Sequence, residues 1–280
     1  DHRDLHSCPT RRSSDLLGWR GTWGVVVPST NTSVQPEFDD MRPRGVTNHI
    51  VRIWIPNESV ASNDDFNRLM ENIRKEWDNA LLRVMTCDPD YLVMGMSSET
   101  FWGGLEQSLA LKKHIIELTG RNVAMGSDAC QAALRCYGDI KRIGVLTPYW
   151  PVADENVTKF FEDCGFEVVV IKGLCCDSPT AMSKISEKEL LDALLELNEH
   201  NVEALVQCGT NLAMARLAGE AEKWLKKPVI AINTATYWYA IRANGMDDVV
   251  EGFGSLMTDF KELPASYLKI ASQQATAAAD

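Results

Sequence analysis

The chain is predicted to be an α/β protein built as two similar lobes facing each other across a cleft, each on a parallel sheet covered on both faces. Three observations predict this. Short apolar, β-branched runs alternate with longer segments of three-and-four apolar spacing, the pattern of strands that enter crossover helices. The same strand–loop–helix layout recurs three times in each half. The 280 residues are 45% hydrophobic, enough for two modest domains or one large one.

Taken in order, Trp23–Val27 is an apolar run ending at Pro28, and Ile50–Ile55 is a second strand. Asp65–Met85 places Phe66, Leu69, Met70, Ile73, Trp77 and Leu81 on a single helical face. Tyr91–Met94 is a short strand, and Leu105–Thr119 is a helix that stops at Gly120. Ile143–Leu146 and Glu167–Ile171 are further strands. Glu187–Glu199 starts after Ser186 with Glu189 three positions on, a capping box. Ala204–Gln207 is a strand, Ala215–Lys226 a helix before Pro228, and Val229–Ile232 the last strand.

The internal repeat pairs Gly24–Asn31 with Gly144–Tyr149, the Gly95–Glu99 loop with Cys208–Asn211, and Gly126–Ala129 with Ile232–Ala235. Ligands of open α/β sheets bind outside the carboxyl ends of the strands. On that geometry all six loops are expected to line the cleft. The lobes are expected to comprise residues 17–126 with 234–280, and residues 127–233.

Asp1 to Leu16 has neither helical nor strand periodicity and lacks the apolar core of a signal sequence. It resembles translated sequencing-adapter sequence and is set apart from the fold as a non-native or disordered tail, Cys8 with it. No run of about 18 apolar residues occurs, so no membrane span is expected. With 28 basic and 39 acidic residues, a net charge of -11, a general nucleic-acid surface is not expected, because phosphate neutralisation needs clustered Lys and Arg. The eight cysteines show no CxxC pair and no Cys/His metal spacing. No metal site is expected, and a reducing cytoplasm is the expected compartment. No coiled-coil seam is visible, which leaves homo-oligomerisation open.

Cys208 ends an apolar run and precedes Gly209-Thr210-Asn211. Buried cysteines often serve only as small hydrophobes, and Cys87, Cys130, Cys136 and Cys164 are read that way. Cys208 differs by its position: a strand end opening toward a helix N-terminus lowers a thiol pKa and binds carboxylates. The segment Pro28-Ser29-Thr30-Asn31 is rich in hydrogen-bonding side chains, as any capped βα turn is. Tyr149 is either an aromatic plug or an oxyanion donor. Gly95-Met96-Ser97-Ser98 mixes hydroxyls with an apolar group, and Glu99 is either an acid–base group or a helix-start carboxylate. Neither a dinucleotide fingerprint nor a Walker phosphate loop is present.

Val27-Pro28-Ser29-Thr30-Asn31-Thr32, the Gly95–Ser98 loop, Thr147-Pro148-Tyr149 and Val206-Gln207-Cys208-Gly209 occur in the order found in the aspartate/glutamate racemase superfamily. Over roughly Gly21 to Phe260 the chain resembles its maleate cis-trans isomerase and arylmalonate decarboxylase branch. The resemblance implies two αβα lobes with mostly parallel four-to-five-stranded sheets, related by a pseudo-twofold, and an active site in the interlobe cleft. It implies a cofactor-independent enzyme acting on a small dicarboxylate, with one potential cysteine per lobe. Racemases and isomerases use both thiols; arylmalonate decarboxylases keep the second alone. Here the second position is Cys208 and the first loop holds Met96, which can neither attack an alkene nor donate to an oxyanion.

That pattern favours a decarboxylase of a malonate-like diacid. Cys208 is expected as proton donor, with Ser97 and Tyr149 as further catalytic groups. Pro28, Asn31, Gly95, Met96, Ser98, Gly209 and Thr210 are expected to bind substrate, and Trp150 to face the leaving carboxylate beside Met96. The Pro-Ser-Thr-Asn opening looks more like the isomerase, so a maleate isomerase-like or related racemase-type enzyme stays open. So does a carboxylate-binding protein without turnover.

Overall fold

The computed structural model describes residues 16–265 and 267; the tail expectation for Asp1–Leu16, with Cys8, lies outside them except for Leu16. The first half runs β1 (Gly21–Pro28), α1 (Val34–Met41), β2 (Val46–Ile53), α2 (Asn63–Met85), β3 (Tyr91–Met94), α3 (Ser98–Phe101), α4 (Gly104–Thr119), β4 (Val123–Ala124) and α5 (Gly126–Cys136). The second runs β5 (Arg142–Thr147), α6 (Pro151–Asp163), β6 (Glu167–Gly173), α7 (Glu187–Asn198), β7 (Ala204–Gln207), α8 (Ala215–Leu225), β8 (Val229–Ala231), α9 (Ile232–Ala243) and α10 (Ser255–Asp259).

Two four-stranded sheets result, ordered β2-β1-β3-β4 and β6-β5-β7-β8, with every pairing parallel. The orders are the same permutation, so the internal repeat read in the sequence is a repeat of topology. In both sheets the central strands are buried on both faces, which is why Val25–Val27, Leu92–Met94 and Leu205–Val206 read as continuous apolar runs rather than alternating ones.

Boundaries depart from expectation where side chains are ambiguous. β2 begins at Val46 and ends at Ile53, earlier than the expected Ile50–Ile55, because its polar residues 47–49 pair with β1 along a half-exposed edge. β4, two residues long, is too short to carry a period.

α2 is capped by Ser62, whose Oγ accepts from Asp65 N at 3.2 Å, and it buries the expected face. α7 has its capping box at Ser186 and Glu189. α9 follows β8 directly and packs back on the first sheet, where the Tyr237 ring meets Trp23 at 5.3 Å and Phe38 at 4.8 Å. Among the described residues no helix is long and apolar enough to cross a membrane.

Candidate active site

Four loops converge at the carboxyl ends of the two sheets around a small cavity of about 50 Å³. The β1–α1 loop brings Pro28, Thr30 and Asn31; the β3–α3 loop brings Met96, Ser97 and Ser98. Tyr149 comes from the β5–α6 loop, and Gly209, Thr210 and Asn211 from the β7–α8 loop. Opposite them stand Phe66, Leu69 and Ile73 of α2, with Ile55, Pro179 and Met182.

One wall is a hydrogen-bonded set of hydroxyls and amides. Ser97 Oγ and Tyr149 OH are 2.5 Å apart, and Thr210 N donates to Ser97 Oγ at 3.1 Å. Thr210 Oγ1 donates to Gly95 O at 3.1 Å and accepts from Asn31 Nδ2 at 3.2 Å. The Asn31 amide is oriented from behind, because its Oδ1 accepts from Ser33 N and Val34 N at the start of α1. Arg52 Nη1 donates to Asn31 O at 2.6 Å.

Two glycines let these loops approach. A Cβ at Gly95 would stand 2.8 Å from both Val27 and Val34 side chains. Gly209 has φ +132°, and the Pro148 ring occupies the place its Cβ would need.

The other wall is apolar: Phe66, Leu69, Ile73, Ile55, Met182 and Met96. No charged side chain among the described residues lines the cavity.

Cys208 is fully buried and does not itself line the cavity, which the next residue, Gly209, does. Cys208 N donates to Leu146 O at 2.8 Å, which continues the β5–β7 pairing one residue past the strand end and so fixes where the thiol sits. Burial pushes the Cys208 thiol far above its ordinary value, and the hydrogen bond to Cys130 and the charge of Asp154 push the same way. Burial also pushes the Tyr149 hydroxyl up, partly offset by its bond to Ser97 and reinforced by Cys208 and Asp154. Both groups therefore hold their protons at neutral pH.

Asp154 itself is pushed up to about 6 by burial, partly offset by Thr147 Oγ1 donating to it at 2.5 Å. The same Thr147 Oγ1 accepts from Tyr149 N at 3.1 Å, so the carboxyl braces the tyrosine through one hydroxyl.

Of the residues singled out in the sequence, the structure gathers Pro28, Asn31, Met96, Ser97, Ser98, Tyr149, Gly209 and Thr210 on the cavity. Gly95 and Cys208 do not line it: Gly95 accepts from Thr210 Oγ1 through its carbonyl, and Cys208 is fully buried.

Three expectations are corrected. Cys208 does not stand at a helix N-terminus that would lower its pKa: α8 begins only at Ala215, and burial raises the thiol instead. Trp150 does not face the cavity, because its Nε1 donates to Cys176 O at 3.1 Å and turns the ring away. The loops Gly126–Ala129 and Ile232–Ala235 do not line it either. They open α5 and α9, which pack on each other so closely that a Cβ at Gly126 would meet Ile232 Cδ1 at 2.6 Å. Glu99, for its part, is held by Arg74 at 2.7 and 3.0 Å, away from the cavity.

The sequence gives Asn211 only as part of the loop after Cys208, and it signals neither the role of Asp154 nor the nearness of Cys130 to Cys208. Phe66, Leu69 and Ile73 appear in the sequence only as part of one apolar helical face, because a cavity wall and a core face share one periodicity.

The arylmalonate decarboxylase family model matches residues 24–257. A maleate isomerase from Nocardia farcinica is 23% identical over 253 residues, 87% of this chain and 98% of that protein. An arylmalonate decarboxylase from Bordetella bronchiseptica is 25% identical over 167 residues, 58% of this chain and 69% of the relative. Among solved structures, Nocardia farcinica maleate cis-trans isomerase superposes with a TM-score of 0.75 at 22% identity, covering 84% of this chain and 97% of that one. Arylmalonate decarboxylase superposes with a TM-score of 0.67 at 19% identity, covering 84% and 98%.

Proposed function

The chain belongs to the arylmalonate decarboxylase family, and on that premise we propose that it is a cofactor-independent decarboxylase of a malonate-like dicarboxylic acid, with Cys208 as its proton donor. One observation carries the choice. The Cys208 thiol, next to the cavity-lining Gly209, is held protonated by burial, and the β3–α3 loop carries Met96 where the family resemblance would put a second cysteine. A protonated thiol is an acid, whereas attack on a double bond requires the thiolate.

In this reading the retained carboxylate takes the polar wall, displacing the contacts that Asn31 Nδ2, Ser97, Tyr149 and Thr210 N now make among themselves. The leaving carboxylate faces Met96 and the apolar side chains of α2, an environment that disfavours its charge. The bond from Cα to the leaving carboxyl carbon breaks and carbon dioxide departs. The electron pair passes into an enediolate on the retained carboxylate, where the hydroxyls and amide stabilise the growing charge. Cα then takes the Cys208 proton on one face, and the thiolate recovers a proton from solvent. Gly95, Pro28, Ser98 and Gly209 shape the pocket.

A second reading is isomerisation of a small cis-dicarboxylate such as maleate. It is favoured by the extent of the isomerase match, 98% of the Nocardia farcinica protein against 69% of the Bordetella bronchiseptica decarboxylase.

Proton NMR of the protein with phenylmalonate and, separately, with maleate distinguishes the two. Phenylacetate with released carbon dioxide and unchanged maleate is the expected result. Fumarate from maleate, with phenylmalonate untouched, overturns it. Activity is expected to survive chelator; loss on chelation with recovery on adding a divalent ion contradicts a cofactor-independent reaction.

A further inference from the structure

We propose that Glu37 is a positioning residue: from the first lobe it holds, through Asn233, the second-lobe loop that presents Thr210 to the substrate. This rests on the reading of the cavity as the substrate site.

Glu37 is the fourth residue of α1. Its Oε1 accepts from Ala215 N at 3.0 Å, at the start of α8, and its Oε2 accepts from Asn233 Nδ2 at 2.6 Å. The same Asn233 Nδ2 donates to Thr210 O at 2.9 Å. The loop carrying Thr210 is thus held at the Thr210 carbonyl by Asn233, and at the Thr210 amide by Ser97.

Two further ties join the same segments. Thr32 N donates to Asn211 Oδ1 at 2.9 Å, and Ser33 Oγ donates to Asn211 O at 3.0 Å. Both are between neutral groups. Asn233 is 2% exposed, and its Oδ1 has no hydrogen-bond partner among the described residues. The direction of this amide therefore depends on the two acceptors facing Nδ2, of which Glu37 carries the charge.

Both Glu37 oxygens face N–H donors. Protonating either one sets a donor against a donor and breaks one contact, so the latch is complete only when the carboxyl is ionised. The charged groups around it are Asp40 on α1 and Arg216 on α8, which pair with each other at 2.9 Å; the first turn of α9 carries no acidic residue. Burial pushes the Glu37 carboxyl up to about 7, with the Asn233 amide and the backbone N–H groups of Ala215 and Met214 pulling it down and Asp40 adding to the rise. The latch therefore tightens as pH rises through neutrality.

The test is kcat/KM for phenylmalonate between pH 5.5 and 8.5 in the native chain, Glu37→Asp and Glu37→Gln, with Tm measured alongside to confirm folding. The native chain is expected to gain activity through about pH 7. Glu37→Gln carries a permanent amide where an acceptor is needed. It is expected to lose roughly 10- to 100-fold at pH 8, the scale of one hydrogen bond to a charged group, and to lose the limb near neutrality. Glu37→Asp is expected to keep the limb. A Glu37→Gln protein with the native rate, or with a reduced rate but the native limb, overturns the proposal. If the native chain does not decarboxylate phenylmalonate, the functional reading has failed separately. Calorimetric binding of phenylmalonate then tests the latch alone: binding weakened in Glu37→Gln and strengthening through neutral pH supports it, and binding indifferent to both overturns it.

Discussion

The first helix of each lobe carries a carboxyl at its fourth residue, Glu37 in α1 and Asp154 in α6, and burial raises both, to about 7 and about 6. They occupy equivalent places in two sheets of the same strand order. Their partners differ. Glu37 reaches across to Ala215 and Asn233 in the other half of the chain, whereas Asp154 reaches back to Thr147 beneath Tyr149. The strand-end loops diverge in the same way. After β3 the first lobe offers Met96, Ser97 and Ser98 to the cavity, and after β7 the second offers Gly209, Thr210 and Asn211, with the Cys208 thiol buried next to them in the chain. A repeated topology supplies paired positions, and the side chains placed there divide the work between holding and reacting.

The strongest way to break this comparison is Cys208→Ala, since the first-lobe loop has no thiol to take over. Turnover of phenylmalonate is expected to fall by about 10³-fold or more, in the range general acids contribute, while phenylmalonate binding by calorimetry persists. A Cys208→Ala protein of native activity removes the thiol from the chemistry and leaves the two loops equivalent in role.

The polar wall spans both lobes, with Ser97 from one and Tyr149 from the other, 2.5 Å apart. Ser97→Ala and Tyr149→Phe are each expected to cost about 10²- to 10³-fold in kcat, as loss of one oxyanion donor does. Because the two hydroxyls share one hydrogen bond, the double variant is expected to lose less than the product of the single losses. Fully multiplicative losses in steady-state rates show that the lobes act independently at this wall.

Much of this arrangement is legible in the sequence, because strand-end loops betray themselves by apolar runs that stop at Pro, Gly, Ser or Asn. Thus Tyr91–Met94 and Ala204–Gln207 coincide with β3 and β7, and the loops after them hold Ser97 and Thr210 as expected. What the sequence hides has physical causes. The strand–loop–helix repeat marks that helices follow β1 and β8 but not how far they run: α9 is buried on nearly all sides, so it shows no amphipathic period. α1 is eight residues long with Pro36 inside its first turn, and only Val34, Phe38 and Met41 mark its buried face. Trp150 reads as a pocket wall because aromatic residues at strand ends often are, but its indole N–H is taken by Cys176 instead. Asn233 lies 196 residues from Glu37, so no local pattern could join them.

Asp154 tests the inward-facing half of the pair through stability. A carboxyl whose folded pKa of about 6 exceeds the ordinary 3.8 binds more protons folded than unfolded between those values. Stability therefore falls as pH rises from about 4 to about 6, and the deficit above that window is at most about 3 kcal/mol at roughly 1.36 kcal/mol per pKa unit. Asp154→Asn keeps an oxygen to accept from Thr147 and removes the ionisation. The variant is thus expected to lose this fall, and to gain on the native chain in denaturant unfolding as pH rises from 4 to 7, by up to that amount. Its kcat is expected to change less than that of Ser97→Ala, because the brace from Thr147 to Tyr149 N survives. Equal pH dependence in the two proteins assigns the fall to other groups, with Glu37 the first to examine. A large loss of kcat with unchanged stability instead moves Asp154 from bracing Tyr149 to governing the proton on Cys208, the neighbour whose acidity it already depresses.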